Sequence, residues 1–196
     1  MQAIKLDNLM NYDQYTEWQK TRPDHERYEL IDGVPYMMAA TRHRHNRAAG
    51  NLLGLFYEAL KGKPCNPASG GLEFRTDYRF GDTSAIVPDL YVLCKKKESK
   101  ISLDDNNYTG APDIAIEVLS PSTAHIDKTI KKFKYQHAGV REYWIVDPVH
   151  YVVDVYALVG ESYEFTTYTM DDSIALTITK DEVTINVSEI FEGIVD

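Results

Sequence analysis

The sequence is short of cysteine, of positive charge and of long apolar runs, and each shortage excludes something. Cys65 and Cys94 are the only cysteines among 196 residues. They form no CxxC pair and no framework of staples, so a reduced, cytoplasmic setting is expected. Lys plus Arg number 21 against 30 Asp plus Glu, a formal charge of −9. Phosphate binding needs positive charge facing the phosphates. Any nucleic-acid role must therefore rest on a local basic patch or on bound metal cations. No apolar stretch approaches the roughly 20 residues that span a bilayer. The N-terminal segment MQAIKLDNLMNYDQYTEW also lacks the basic-then-apolar pattern of a signal peptide, so no membrane partner is expected.

The familiar strong motifs are missing too. There is no GxxxxGK[ST], no GxGxxG opening a helix, no HExxH, no GxSxG and no EF-hand loop. P-loop hydrolysis, dinucleotide binding, zincin chemistry and α/β-hydrolase chemistry all lose support. Hydrophobic residues at 43% and charged residues at 26% are ordinary for a globular chain and exclude a disordered one. The length fits one domain over 1–196.

What is present alternates helical and strand-like segments. Residues 11–20 read as a short helix, with Asn11 and Gln14 spaced for a capping box. RYELI and VPYMMA flank Asp32-Gly33, a two-residue hairpin signal. Residues 43–61 carry Ala48, Leu52, Leu55, Phe56, Ala59 and Leu60 at helical spacing. LEFRTDYRF and the run from Ile86 to Cys94 read as strands, with Pro88 confined to a start or an edge. KKKESKISLDDNNYTGAP reads as a loop, and DIAIEVL as a central strand. Ser122 or Thr123 can cap a helix running to about residue 138, where Gly139 suits the C′ position. REYWIVD is a buried strand. VVDVYALV, YEFTTYTM and SIALTI suggest an antiparallel meander, and a short helix is expected over 187–192. The order predicts a mixed α/β domain with one central sheet.

The chemistry lies in acids placed on apolar strands. Alternation puts Ile114, Ile116 and Val118 on one face of DIAIEVL, and Ala115, Glu117 and Leu119 on the other. A carboxylate there is costly to bury unless it is paired or binds metal. Asp89 heads the apolar run LYVL, and Glu29 lies in YELI. If Asp89 and Glu117 occupy neighbouring strands, their hard oxygens suit Mg²⁺, with Mn²⁺ as the alternative. The plainer readings are a buried salt bridge for Glu117 and a surface pair of Glu29 with Arg27 or Arg42. By spacing alone, Lys131 pairs with Asp127 as an i,i+4 surface couple. Arg42-His43-Arg44-His45-Asn46-Arg47 could line a phosphate path at a helix N-terminus. Lys95-Lys96-Lys97 reads equally well as solvated charge. Tyr143 and Trp144 read as core.

The segments YELIDG, VPDLYVL, GAPDIAIEVLSPST, an Asp–Lys–Tyr helix and AGVREYWIVDP resemble the Uma-two family of the PD-(D/E)XK nuclease superfamily. The resemblance runs from about Arg27 to Phe191 and is most specific between Gly110 and Pro148. It implies a restriction-endonuclease-like α/β fold: a central mixed sheet flanked by helices, with an antiparallel C-terminal extension. It implies Mg²⁺-dependent hydrolysis of DNA, with Asp89 and Glu117 as metal ligands. The lysine of the family motif would fall at 119, where this chain has Leu119. The resemblance moves that role to Lys131, which would position the attacking water. Glu29 matches an N-terminal glutamate, and His45 a histidine at the start of the second helix, as an accessory group. Cutting both strands would favour a homodimer. The alternative is a module on the same fold that binds nucleic acid or protein without cleaving.

Overall fold

The computed structural model describes residues 2–4, 8–38, 40–101, 106–180 and 182–194. The chain opens with β1 (Gln2–Ala3) and α1 (Tyr12–Gln19). The expected capping box is present: Asn11 accepts from the Gln14 amide at 2.9 Å, and Gln14 accepts from the Asn11 amide at 3.0 Å. A hairpin follows, β2 (Tyr28–Ile31) and β3 (Val34–Met37). Its turn holds Asp32 at φ 49° and Gly33 at φ 78°, the left-handed pair that Asp-Gly accommodates. A Cβ on Gly33 would also lie 2.8 Å from the Leu9 Cβ. Helix α2 (His43–Ala59) comes next, then β4 (Cys65–Ser69) and β5 (Glu73–Arg75).

The run from Ile86 to Cys94 is not one strand. It divides into β6 (Ala85–Ile86) and β7 (Leu90–Cys94), and these belong to different sheets. Pro88 lacks an N–H and cannot continue a ladder, so the chain changes sheet across Val87-Pro88-Asp89. The Lys-rich segment expected as loop holds a turn of helix, α3 (Lys95–Glu98), and a short strand, β8 (Asn107–Thr109). Its residues 102–105 lie outside those described. Strand β9 (Ile114–Val118) follows. The helical stretch after it is α4 (Ala124–Ile126), a π-helical turn (Asp127–Lys131) and α5 (Lys132–His137), with Gly139 at φ 75° beyond its end. The meander β10 (Glu142–Asp147), β11 (Val152–Val159) and β12 (Ser162–Tyr168) comes next. SIALTI does not extend it. Instead β13 (Ser173–Ala175) pairs with β14 (Thr184–Asn186), after which α6 (Val187–Ile190) ends the fold.

The expected mixed sheet is present, ordered β12-β11-β10-β9-β7-β4, with β9 and β10 parallel and the rest antiparallel. The expectation of a single central sheet is corrected: a second six-stranded sheet, β1-β3-β2-β6-β5-β8, accompanies it. The alternation expected of β9 sorts its two faces. Ile114, Ile116 and Val118 join Leu52, Phe56 and Trp144 in the core under α2 and the C-terminal segment. Ala115 and Leu119 join Tyr135, Tyr143 and Ile145 under the helices after β9. Both faces are covered, and Glu117 is left only 4% exposed. Tyr143 and Trp144 are fully buried, as expected.

The two cysteines differ from expectation. The β4–β7 register sets Cys65 directly opposite Cys94, and they form a disulfide that closes a separation of 29 residues.

Candidate active site

The site grows from the β7–β9 pairing. Leu90 pairs with Ile116 in that register, so one step further Asp89 stands across from Glu117. Asp89 is the residue at which the chain leaves one sheet for the other. Its Oδ2 accepts from the Val118 amide at 2.8 Å and meets His45 Nε2 at 3.0 Å. His45 is carried by the first turn of α2. Both bonds fall on Oδ2, and no hydrogen bond from the described residues reaches Oδ1. The Asp89 side chain keeps 21% of its surface exposed.

Behind it lies a buried ionic cluster. Lys131 Nζ donates to Glu117 Oε1 at 2.9 Å and to Glu29 Oε1 at 3.0 Å, and lies 3.5 Å from Asp127 Oδ1. Glu29 Oε1 also accepts from the Val87 amide at 2.9 Å, and Glu117 Oε1 from the Tyr135 hydroxyl at 3.2 Å. Tyr143 donates to the Asp127 carbonyl at 3.0 Å, fixing the π-helical turn that carries both Asp127 and Lys131. All four charged side chains are at least 95% buried. The structure thus brings together Glu29, His45, Asp89, Glu117 and Lys131 from five separate segments. A cavity of about 50 Å³ is bordered by His45, Asp89, Glu117, Asp127 and Lys131.

Two of the plainer readings are corrected. Asp127 and Lys131 do pair, but in the interior and not at the surface, because this side of the helix faces β9. Glu29 pairs with Lys131 rather than Arg27 or Arg42, because β2 faces inward. Asp127 is the member of the cluster that the sequence reading passed over. Its spacing to Lys131 was visible, but the burial of that helix face was not.

Three buried carboxylates share one ammonium, and the electrostatics follow. Burial pushes Glu117 well above the usual carboxylate range, with Lys131 pulling it back only in part. Burial raises Glu29 and Asp127 as well. For Lys131 burial alone would lower the pKa, but the carboxylates of Glu117, Glu29 and Asp127 outweigh it and hold the ammonium charged. Burial likewise depresses the His45 imidazole, and Asp89 more than reverses this. Glu29 Oε2 is buried without a hydrogen-bond partner. The cluster is short of positive charge, a condition that a divalent cation relieves.

Asp89 Oδ1 and Glu117 Oε2 receive no hydrogen bond from the described residues. They are hard oxygens on directly opposed residues, a donor pair that fits Mg²⁺ or Mn²⁺. Among the described residues no group of three or more His, Cys, Asp or Glu side chains is arranged to hold an ion. Lys131 already engages Glu29 and Glu117 through Oε1. Mg²⁺ commonly takes only one or two carboxylates and fills its shell with water and substrate phosphate.

The basic stretches separate. Lys97 donates to the Pro112 carbonyl at 3.0 Å and pairs with Asp113 at 3.3 Å, so part of the lysine run is structural. Arg42, just before α2, and Arg44, in its first turn, line a neighbouring cavity.

The helix-flanked mixed sheet is a restriction-endonuclease-like fold. A family model described as "Uma2: Putative restriction endonuclease" matches residues 12–188. The chain belongs to that family. It is 26% identical over 145 residues to "Uncharacterized protein slr1290" of Synechocystis sp., covering 74% of this chain and 72% of that one. Its fold is similar to a crystal structure titled as a putative nuclease belonging to DUF820 from Anabaena variabilis. That match has a TM-score of 0.77 at 19% identity, over 95% of this chain and 99% of the other. No helix among the described residues is long and apolar enough to cross a membrane.

Proposed function

We propose that the protein is a metal-dependent endonuclease that hydrolyses phosphodiester bonds in DNA, with Asp89 and Glu117 holding Mg²⁺ or Mn²⁺. The observation that carries this reading is the charge imbalance around Lys131, in contact with a cavity that Asp89 opens to solvent. The chemistry a divalent cation supplies at such a place is polarisation of a phosphoryl group and a lower pKa for water.

The chain's own residues would do the rest. Glu29, fixed by the Val87 amide, and Glu117 hold the Lys131 ammonium in one orientation. An ammonium has three N–H donors. Two are committed to glutamates, and Asp127 at 3.5 Å is the loosest of the three contacts, the one that an attacking water or a phosphate oxygen would displace. His45 and the Val118 amide fix Asp89 as an accessory arrangement. We read the protein as a homodimer, since two-fold symmetry matches a duplex cut on both strands.

The engagement of Lys131 with both glutamates is the observation that favours the second reading, a nuclease fold that binds without cleaving. Supercoiled plasmid incubated with Mg²⁺, Mn²⁺ or chelator, beside the Glu117→Gln variant, separates the two. Metal-dependent nicking that the variant loses supports the nuclease. No nicking with either metal, while plasmid is still retarded in a gel, supports the binding module.

A further inference from the structure

A second cavity of about 390 Å³ adjoins the first. Its wall includes Arg42, Arg44, Ser120, Ser122 and Val149, and it shares His45, Ala40 and Ser120 with the smaller cavity beside Asp89, Glu117 and Lys131. One face of the shared imidazole is committed: Nε2 meets Asp89. The other nitrogen, Nδ1, is buried without a hydrogen-bond partner, although the His45 side chain is about nine-tenths buried. Arg42 is the residue before α2 and supplies no side-chain cap, so the first-turn amides of a 17-residue helix receive none. Neither Arg42 nor Arg44 forms an ion pair with a described residue, in a chain with nine more acids than bases. Asp147, next in sequence to the cavity wall at Pro148, is occupied by the amides of Val149 and His150 and by the His150 ring.

Unpaired guanidinium groups, uncapped helix amides and a hydroxyl are the groups that bind a phosphate diester. We propose that this cavity seats a backbone phosphate of the DNA strand adjacent to the one being cut, with Arg42 and Arg44 as its main contacts. The inference rests on the nuclease reading and adds to it where the substrate enters. The strand would pass from α2's N-terminus, over His45, to Asp89. A negatively charged chain could then hold a polyanion through one local basic cavity instead of a basic surface.

The test is the paired variant Arg42→Gln/Arg44→Gln, with Val149→Glu as a second way to weaken the site by adding negative charge to an exposed wall position. The control is Lys95→Gln/Lys96→Gln, at the far end of β7. Binding of a fluorescent duplex oligonucleotide is measured in chelator across a salt series, and plasmid nicking is measured with Mn²⁺. Each duplex phosphate contact contributes about 0.9 to the slope of log K against log salt. The arginine pair should therefore lower that slope by about 2 and weaken binding about tenfold or more. KM should rise with kcat little changed. Val149→Glu should weaken binding in the same direction, and the lysine control should match wild type. If wild type cleaves while the arginine pair and Val149→Glu keep its slope and KM, the cavity proposal is overturned and the nuclease reading stands. If wild type neither binds nor nicks DNA with any metal, both are overturned.

Discussion

Lys131 Nζ lies 2.9 Å from Glu117 Oε1, and both side chains are sealed between β9 and the helix that follows it. Removing one partner of such a pair strands a buried charge, which costs more than the pair itself contributes. Here the loss would strand Glu29 and Asp127 as well. Lys131→Met, which keeps the length and removes the charge, is expected to lose about 3–5 kcal/mol of stability near neutral pH. Urea denaturation of variant and wild type measures it. A difference below about 1 kcal/mol would mean that the cluster is far less dry than its geometry implies.

The same cluster sets a pH dependence. Burial raises Glu117, Glu29 and Asp127 above the ordinary values of 4.5, 4.5 and 3.8. An acid whose pKa is higher in the folded state binds its proton more tightly there. Its contribution to stability is complete below the unfolded value and is lost as pH rises through the folded value. In chelator, wild type should therefore lose stability relative to Glu117→Gln as pH rises above about 4.5. Lys131 adds nothing in this window, because its raised pKa affects stability only above 10.5. Added Mg²⁺ should flatten the loss, since a cation favours the ionised carboxylates. Denaturation at several pH values, with and without Mg²⁺, gives the curves. A wild-type-to-variant difference that ignores both pH and Mg²⁺ would rule out this account.

Much of this arrangement was legible in local pattern. The Asn11–Gln14 box, the Asp32-Gly33 turn, α2 and the two faces of β9 follow from spacing alone, because each is decided within a few residues. The acids on apolar strands also announced a cluster. What spacing could not show was long-range. Nothing local says that Val87-Pro88-Asp89 carries the chain between sheets, which is why Asp89 meets Glu117 where it does. The burial of Asp127 depends on which side of a helix faces β9. The Cys65–Cys94 bond depends on the β4–β7 register, a contact 29 residues apart that two isolated cysteines do not advertise.

That bond gives a prediction of its own. A cross-link closing a loop of this length restricts the unfolded chain by an amount worth roughly 3–4 kcal/mol in the loop-entropy account. Reduction, or Cys65→Ser/Cys94→Ser, should lower the urea midpoint accordingly. Nicking activity at a permissive temperature should be unchanged, since the bond ties the far end of β7 to the edge strand β4. Equal midpoints in oxidising and reducing buffer would show that the sheet holds these strands together without help.

His45 offers the sharpest separation of support from chemistry. Its Nε2 and the Val118 amide both pin Asp89 Oδ2, leaving Oδ1 free of hydrogen bonds from the described residues. A carboxylate pinned through one oxygen presents the other in a fixed direction, and groups that orient a metal ligand are typically worth 10–100-fold in metal affinity. His45→Ala should therefore raise the Mn²⁺ concentration that half-saturates plasmid nicking by about 10–100-fold. The rate at saturating Mn²⁺ should fall much less. His45→Asn, whose amide can still donate toward Asp89, should recover part of the loss. If half-saturation is unchanged and only the maximal rate falls, then His45 contacts the substrate, and Asp89 is held well enough by the Val118 amide alone.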